Sequence, residues 1–116
     1  MFLAVSEKVC GSVETSVLRA ANGFCGGVGS TQEELCGALA GGVLLIGLRH
    51  GRDSAHQSDH RSLKLVRIWR QAFLEHFGST RCRHIYDAMH ASDGPGTCAA
   101  VGEWAATALM SLLHQR

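Results

Sequence analysis

Apolar residues recur at helical spacing along almost the whole chain, and neither strand-like alternation nor an Asn-Gly hairpin turn interrupts them. The pattern predicts an all-α protein. Helical segments are expected near Met1–Val9 and over Val13–Phe24, the second broken by Gly26 and Gly27. A third follows at once, with two overlapping capping boxes at its start (Ser30 with Glu33, Thr31 with Glu34) and His50-Gly51 as its stop. After a polar loop, Arg52–Asp59, a fourth helix spans His60–Phe77, with Leu63, Val66, Trp69, Phe73 and Phe77 on one face and Arg61, Lys64 and Arg67 on the other. Gly78 ends it. Ser79 caps a short helix to about Met89, and Thr97 caps a last one to about His114.

The longest apolar run, Leu35–Leu48, is about 14 residues, against about 20 for a membrane-spanning helix. It is apolar around its whole circumference, as a central helix packed by neighbours on all sides would be. Gly37, Gly41 and Gly42 within it point to close helix contacts, because glycine in a helix costs about 1 kcal/mol relative to alanine and is kept where another group must approach. The expected architecture is a single domain, an irregular bundle of five or six helices around this buried helix. No internal repeat or low-complexity segment is present.

With 116 residues the chain suits one domain and one core. Eleven Lys and Arg against ten Asp and Glu leave a formal charge of +1, too weak a field to argue for nucleic acid or an anionic membrane. Five cysteines, none in a C-x-x-C pair, and no secretory signal in the opening residues speak against a disulfide framework and for a reducing, cytoplasmic setting. A Gly-x-Ser-x-Gly elbow, a Walker loop and a His-Glu-x-x-His motif are all missing. The glycines at 23, 26, 27 and 29 lack the preceding strand that a dinucleotide fingerprint needs.

What chemistry remains lies in the cysteines. Cys82 shares a helical face with Ile85, Tyr86 and Met89, and Cys98 with Val101, Ala105, Leu109 and Leu112, so both are expected to point at the core. Both also fall in a first helical turn, where free N–H groups and the helix dipole favour thiolate. Cys36 is expected about one turn further in. For any one cysteine, burial as a small hydrophobe is the simpler account; Cys10 stays with it, and Cys25 lies between, beside the glycine pair.

The order of Gly23–Gly29 (GFCGGVG), Cys36-Gly-Ala-Leu-Ala-Gly41, Leu44–Arg52 (LLIGLRHGR), Phe77–Cys82 (FGSTRC) and Thr97–Val101 (TCAAV) resembles the redox-active protein family named for its C-GCAxxG-C-C cysteine pattern, over nearly the whole chain. The resemblance implies a small helical domain whose four defining cysteines serve redox chemistry or metal ligation, and it matches Cys36, Cys82 and Cys98. The family's first cysteine would lie upstream of Met1, in the helix whose later part resembles Leu3–Glu7, so the domain is expected to lack the start of its first helix or to have lost one ligand.

Three functions follow as expectations. In a redox-active protein, Cys82 and Cys98 are the attacking and resolving thiols with Cys36 beside them, working with an unidentified redox partner protein. In a metal protein the same sulfurs hold an iron-sulfur cluster or zinc, with the fourth position filled by the absent cysteine, by Cys25, by water or by a second copy of the chain in a homodimer. In the third, the cysteines are packing remnants of an interaction module. His56 and His60 are read as part of a solvated loop, His84 as facing solvent beside Cys82, and the Arg61, Lys64 and Arg67 stripe as a solvated face. The redox and metal functions both require Cys36, Cys82 and Cys98 to converge. If Cys25 replaces the absent ligand, Cys25→Ser should weaken metal retention after a chelator wash more than Cys10→Ser does, and equal retention would leave Cys25 as packing.

Overall fold

The computed structural model describes residues 6, 11 and 13–115. Of the expected first helix only Ser6 falls among them, helical and buried, and Cys10 lies outside the described residues. The remaining elements are five helices: α1 (Thr15–Ala21), continued by a 3₁₀ turn (Asn22–Phe24), α2 (Gly37–His50), α3 (His60–Phe77), α4 (Cys82–Met89) and α5 (Ala99–Gln115). Among the described residues there is no strand, and one isolated antiparallel bridge pairs Leu35 with Arg81. The chain is a single all-α unit, and no helix among the described residues is long and apolar enough to cross a membrane.

Helix α2 is the centre. Leu39, Ala40, Gly41, Gly42, Leu45 and Ile46 are buried, and the helix packs on both α3 and α5. Its other side is less enclosed than the all-round apolar pattern predicts: Leu48 is 44% exposed, and Val43, Leu44 and Gly47 line a shallow groove against α1, which buries no residue of its own. The face of α3 that enters the core is Ser62, Leu65, Trp69 and Phe73, whereas Leu63 is 48% exposed. The expectation was one position off at the start of the helix, because both registers converge on the same two aromatics. In α5 the same shift makes Leu113 the buried residue and Leu112 half-buried, after Val101, Ala105 and Leu109.

Helix ends follow local chemistry. Gly78 takes a left-handed conformation (φ 74°) and its N–H returns to the Leu74 carbonyl at 2.7 Å, the single-bond αL stop. At the start of α5 the Ala99 N–H donates to the Thr97 hydroxyl. Two expected starts are corrected. Residues Ser30–Leu35 are not helical: α2 begins at Gly37, and the Thr31 hydroxyl turns back to the carbonyls of Gly27 and Val28 instead of capping. Helix α4 begins at Cys82 with Arg81 as N-cap, while the Ser79 hydroxyl accepts the Arg81 N–H and pairs with His84 Nδ1.

The join between α2 and α3 is made by one side chain in a notch. Trp69 lies against Gly42, and its indole N–H donates to the Leu39 carbonyl at 3.0 Å. A methyl group on residue 42 would fall onto the indole nitrogen and its neighbouring ring carbon. Trp69 also stacks on Trp104 at 5.9 Å, and Trp104 on His76 at 4.3 Å, carrying the contact across to α5. Gly42→Ala is expected to destabilise the fold by a net amount of about 1–2 kcal/mol, as overpacking outweighs the helix propensity that alanine regains. A fall in the urea midpoint at unchanged slope is the expected observation.

Candidate functional site

The amino ends of α2 and α4 are tied together by backbone. On either side of the Leu35–Arg81 bridge, the Cys36 N–H donates to the Thr80 carbonyl and the Cys82 N–H to the Glu34 carbonyl, each at 2.8 Å, and the Arg83 N–H reaches the Gln32 carbonyl. Antiparallel register sets Cys36 opposite Thr80 and Glu34 opposite Cys82. Side chains alternate along extended backbone, so Cys36 and Cys82 share one face as diagonal neighbours. Cys36 is the N-cap of α2, a turn earlier than the sequence implies, and Cys82 is the first residue of α4.

A left-handed loop closes over this pair. Gly26, Gly27, Val28, Gly29 and Ser30 all have φ between 59° and 72°, and Gln32 joins them at 61°. Outside glycine such a conformation costs roughly 1–2 kcal/mol per residue, so Val28, Ser30 and Gln32 store strain in the segment nearest the thiols. Gly27 has a further reason to be glycine: a Cβ there would stand 2.5 Å from the Cys82 Cβ. The loop also sets Cys25 beside α2, with the Gly37 position in contact with the Phe24 carbonyl and the Cys25 Cα.

Cys25, Cys36, Cys82 and Cys98 all line one cleft of about 890 Å³ between the 3₁₀ turn, the left-handed loop, α2, α4 and α5. The structure therefore brings together all four of the cysteines singled out from sequence that it describes. They are not equally enclosed: Cys82 is buried and Cys36 half-buried, whereas Cys25 and Cys98 are exposed. Cys98 thus lines the cleft without entering the core, because the apolar stripe of α5 begins at Val101. Tyr86 borders the cleft as its place on the Cys82 face implies, whereas Gln32 and Glu103 in the lining and the pairing that positions Cys36 have no sequence signal. No periodicity marks these, since they come together only when distant segments pack.

Thiolate formation is opposed here. Burial pushes the Cys82 thiol above its ordinary range, and the neighbouring Cys36, Cys98 and Cys25 act the same way against a weaker pull from Arg83. Cys98 is also raised, first by desolvation where it lines the cleft and then by Cys36. The expected activation of both thiols by their helix starts is corrected: two short helix ends do not offset desolvation in a cluster of like groups. His84 is exposed and held by Ser79, His56 and His60 lie on exposed backbone, and Arg61, Lys64 and Arg67 are exposed along α3. Among the described residues no group of three or more His, Cys, Asp or Glu side chains is arranged to hold a metal ion.

Because the folded state raises the thiols of Cys82 and Cys98, it keeps protons that the unfolded chain releases near pH 9.0. Stability is then unaffected below that point and is lost as pH rises through the folded values. Urea midpoints are expected to fall from pH 9 upward, and Cys82→Ser to flatten that fall.

No curated protein and no solved structure matches the chain. A family model does, over residues 1–112, described as "Putative redox-active protein (C_GCAxxG_C_C)". The span takes in the loop over Cys82, the amino end of α2 and all four cysteines of the cleft, and on that match the chain belongs to the C_GCAxxG_C_C family of redox-active proteins.

Proposed function

We propose that the protein is a dithiol–disulfide redox carrier whose reactive pair is Cys36 and Cys82, with Cys98 as the thiol that meets a partner. The observation that carries this reading is the register around Leu35 and Arg81. Diagonal neighbours on adjacent extended segments stand about 7 Å apart, the limit of disulfide reach, so closure needs only a small adjustment of two residues at helix ends. Of the neighbouring thiols Cys36 acts most strongly on Cys82 and is the one that acts on Cys98, which supports a relay in which the exposed Cys98 exchanges with Cys36 and Cys36 with Cys82. This arrangement makes Cys36 the centre of the pair, where the sequence alone favoured Cys82 with Cys98.

The chemistry follows from the environment. A buried thiol held protonated is a weak nucleophile and reacts slowly in the absence of a partner, and oxidation joins the two sulfurs with loss of two electrons and two protons. A partner protein's disulfide is opened by one thiol, giving a mixed disulfide that the second resolves. A cytoplasmic setting suits a carrier that rests as dithiol.

The test is peptide mapping after limited oxidation by hydrogen peroxide. The Cys36–Cys82 disulfide is expected as the main product, reversed by dithiothreitol. Cys36→Ser is expected to cut total intramolecular disulfide about tenfold, since it removes the sulfur both others reach, while Cys10→Ser leaves it intact. Oxidation that leaves Cys36 unmodified and joins other cysteines would overturn the assignment.

A further inference from the structure

The cleft is much larger than thiol exchange needs. At about 890 Å³ it falls within the range of about 300–1,000 Å³ that holds a drug-sized organic molecule, where a peroxide or a single sulfur would occupy a small corner. Its described lining contains no Lys, Arg or His, and Glu103 is its one acidic side chain. A substrate bearing phosphate or carboxylate groups would lose its hydration there, meet no cation, and face a like charge.

The walls are mostly apolar. Helix α2 lines the cleft with Gly37, Ala38, Gly41 and Leu44, and α5 with Ala99, Val101, Gly102 and Ala106. Phe24 and Tyr86 also border it. Apart from Glu103, its polar residues are neutral: Asn22, Gln32, Ser30 and Tyr86, whose amides and hydroxyls can donate to carbonyl oxygens. A largely apolar cleft with neutral donors and no cation in its lining, bordered by sulfurs that can give up electrons, is complementary to an apolar molecule carrying carbonyls that accept them.

We propose that the cleft binds an uncharged quinone, which serves as electron acceptor for the Cys36–Cys82 dithiol. This rests on the dithiol reading above and names its substrate class. The step balances within the site. The two S–H bonds break, one S–S bond forms, and the two electrons and two protons released reduce the two quinone carbonyls to the hydroxyls of a hydroquinone. A dithiol reductant restores the pair for the next cycle. The raised thiol of Cys82 fits this role, since it arrives protonated and brings its proton together with its electron.

The experiment mixes pre-reduced full-length protein, without oxygen, with duroquinone, whose fully methylated ring leaves no position for simple thiol addition. A sulfonated quinone of matched potential is run beside it. Hydroquinone and the Cys36–Cys82 disulfide are expected in equal amounts with duroquinone, and at a rate at least about tenfold lower with the sulfonated compound, because the cleft offers no cation. Glu103→Lys is expected to narrow that difference by raising the rate with the sulfonated quinone relative to the rate with duroquinone. Equal rates with the two quinones, or a covalent adduct without disulfide, would overturn the proposal. Hydrogen peroxide separates the two levels: disulfide with peroxide but none with duroquinone removes the quinone and leaves the dithiol, whereas no Cys36–Cys82 disulfide with either removes both.

Discussion

The backbone pairing of Glu34–Cys36 with Thr80–Cys82 is the contact on which the site depends. Three hydrogen bonds join segments more than forty residues apart, and they fix where α2 and α4 begin relative to each other. An isolated bridge of this kind has little stability of its own. It persists because the apolar stripes leading away from it, Leu39, Leu45 and Ile46 on α2 and Ile85 on α4, enter the same core. In return the bridge turns two helix ends, which fray in most proteins, into fixed positions for sulfur.

A second constraint explains why the cleft stays open. Trp69 is accommodated in the Gly42 notch and anchored by its bond to the Leu39 carbonyl, so α3 approaches one side of α2 at very short range. The rings of Trp69, Phe73, Phe77, Trp104 and His76 then fill the space between α3 and α5. The opposite half, around Gly37, Ala38 and Gly41 on α2 and Gly102 and Ala106 on α5, is lined largely by small side chains, with Leu44, Val101 and Tyr86 among them, and a cavity is the result.

Desolvation and helix-end electrostatics pull the thiols in opposite directions, and desolvation wins. The effect of a helix terminus falls off within a turn and is worth a fraction of a kcal/mol in exposed settings, whereas a buried thiol surrounded by other thiols has no cation close enough to hold its charge except Arg83. In the proposed carrier, such a site would give up electrons together with protons. The strained left-handed loop packed on Cys82 belongs to the same design, since it shields the more deeply buried sulfur while leaving Cys25 and Cys98 in contact with solvent.

Helix type and number were legible from periodicity, the ends at Gly78 and Thr97 from local capping chemistry, and the central place of Leu35–Leu48 from its lack of a polar face. The glycines at 37 and 42 announced a close approach without saying whose; only the packed structure supplies the Phe24 carbonyl at the first and the Trp69 ring at the second. Where the reading failed, the determining partner was remote. Ser30–Leu35 carries two good capping boxes, yet it is drawn into extended and left-handed backbone by Thr80–Arg83, and local propensity is too weak to resist hydrogen bonds of that kind. The face of α3 shifted from Leu63 to Leu65 because helical spacing leaves a register ambiguity that only the position of α2 resolves. Sequence by itself determined which cysteines are the candidates, since cysteine spacing and the family pattern are properties of the chain. Which sulfurs face each other, how protonated they are and what size of molecule reaches them were decided by tertiary structure, because distance, desolvation and cavity volume exist only once separate helices have packed.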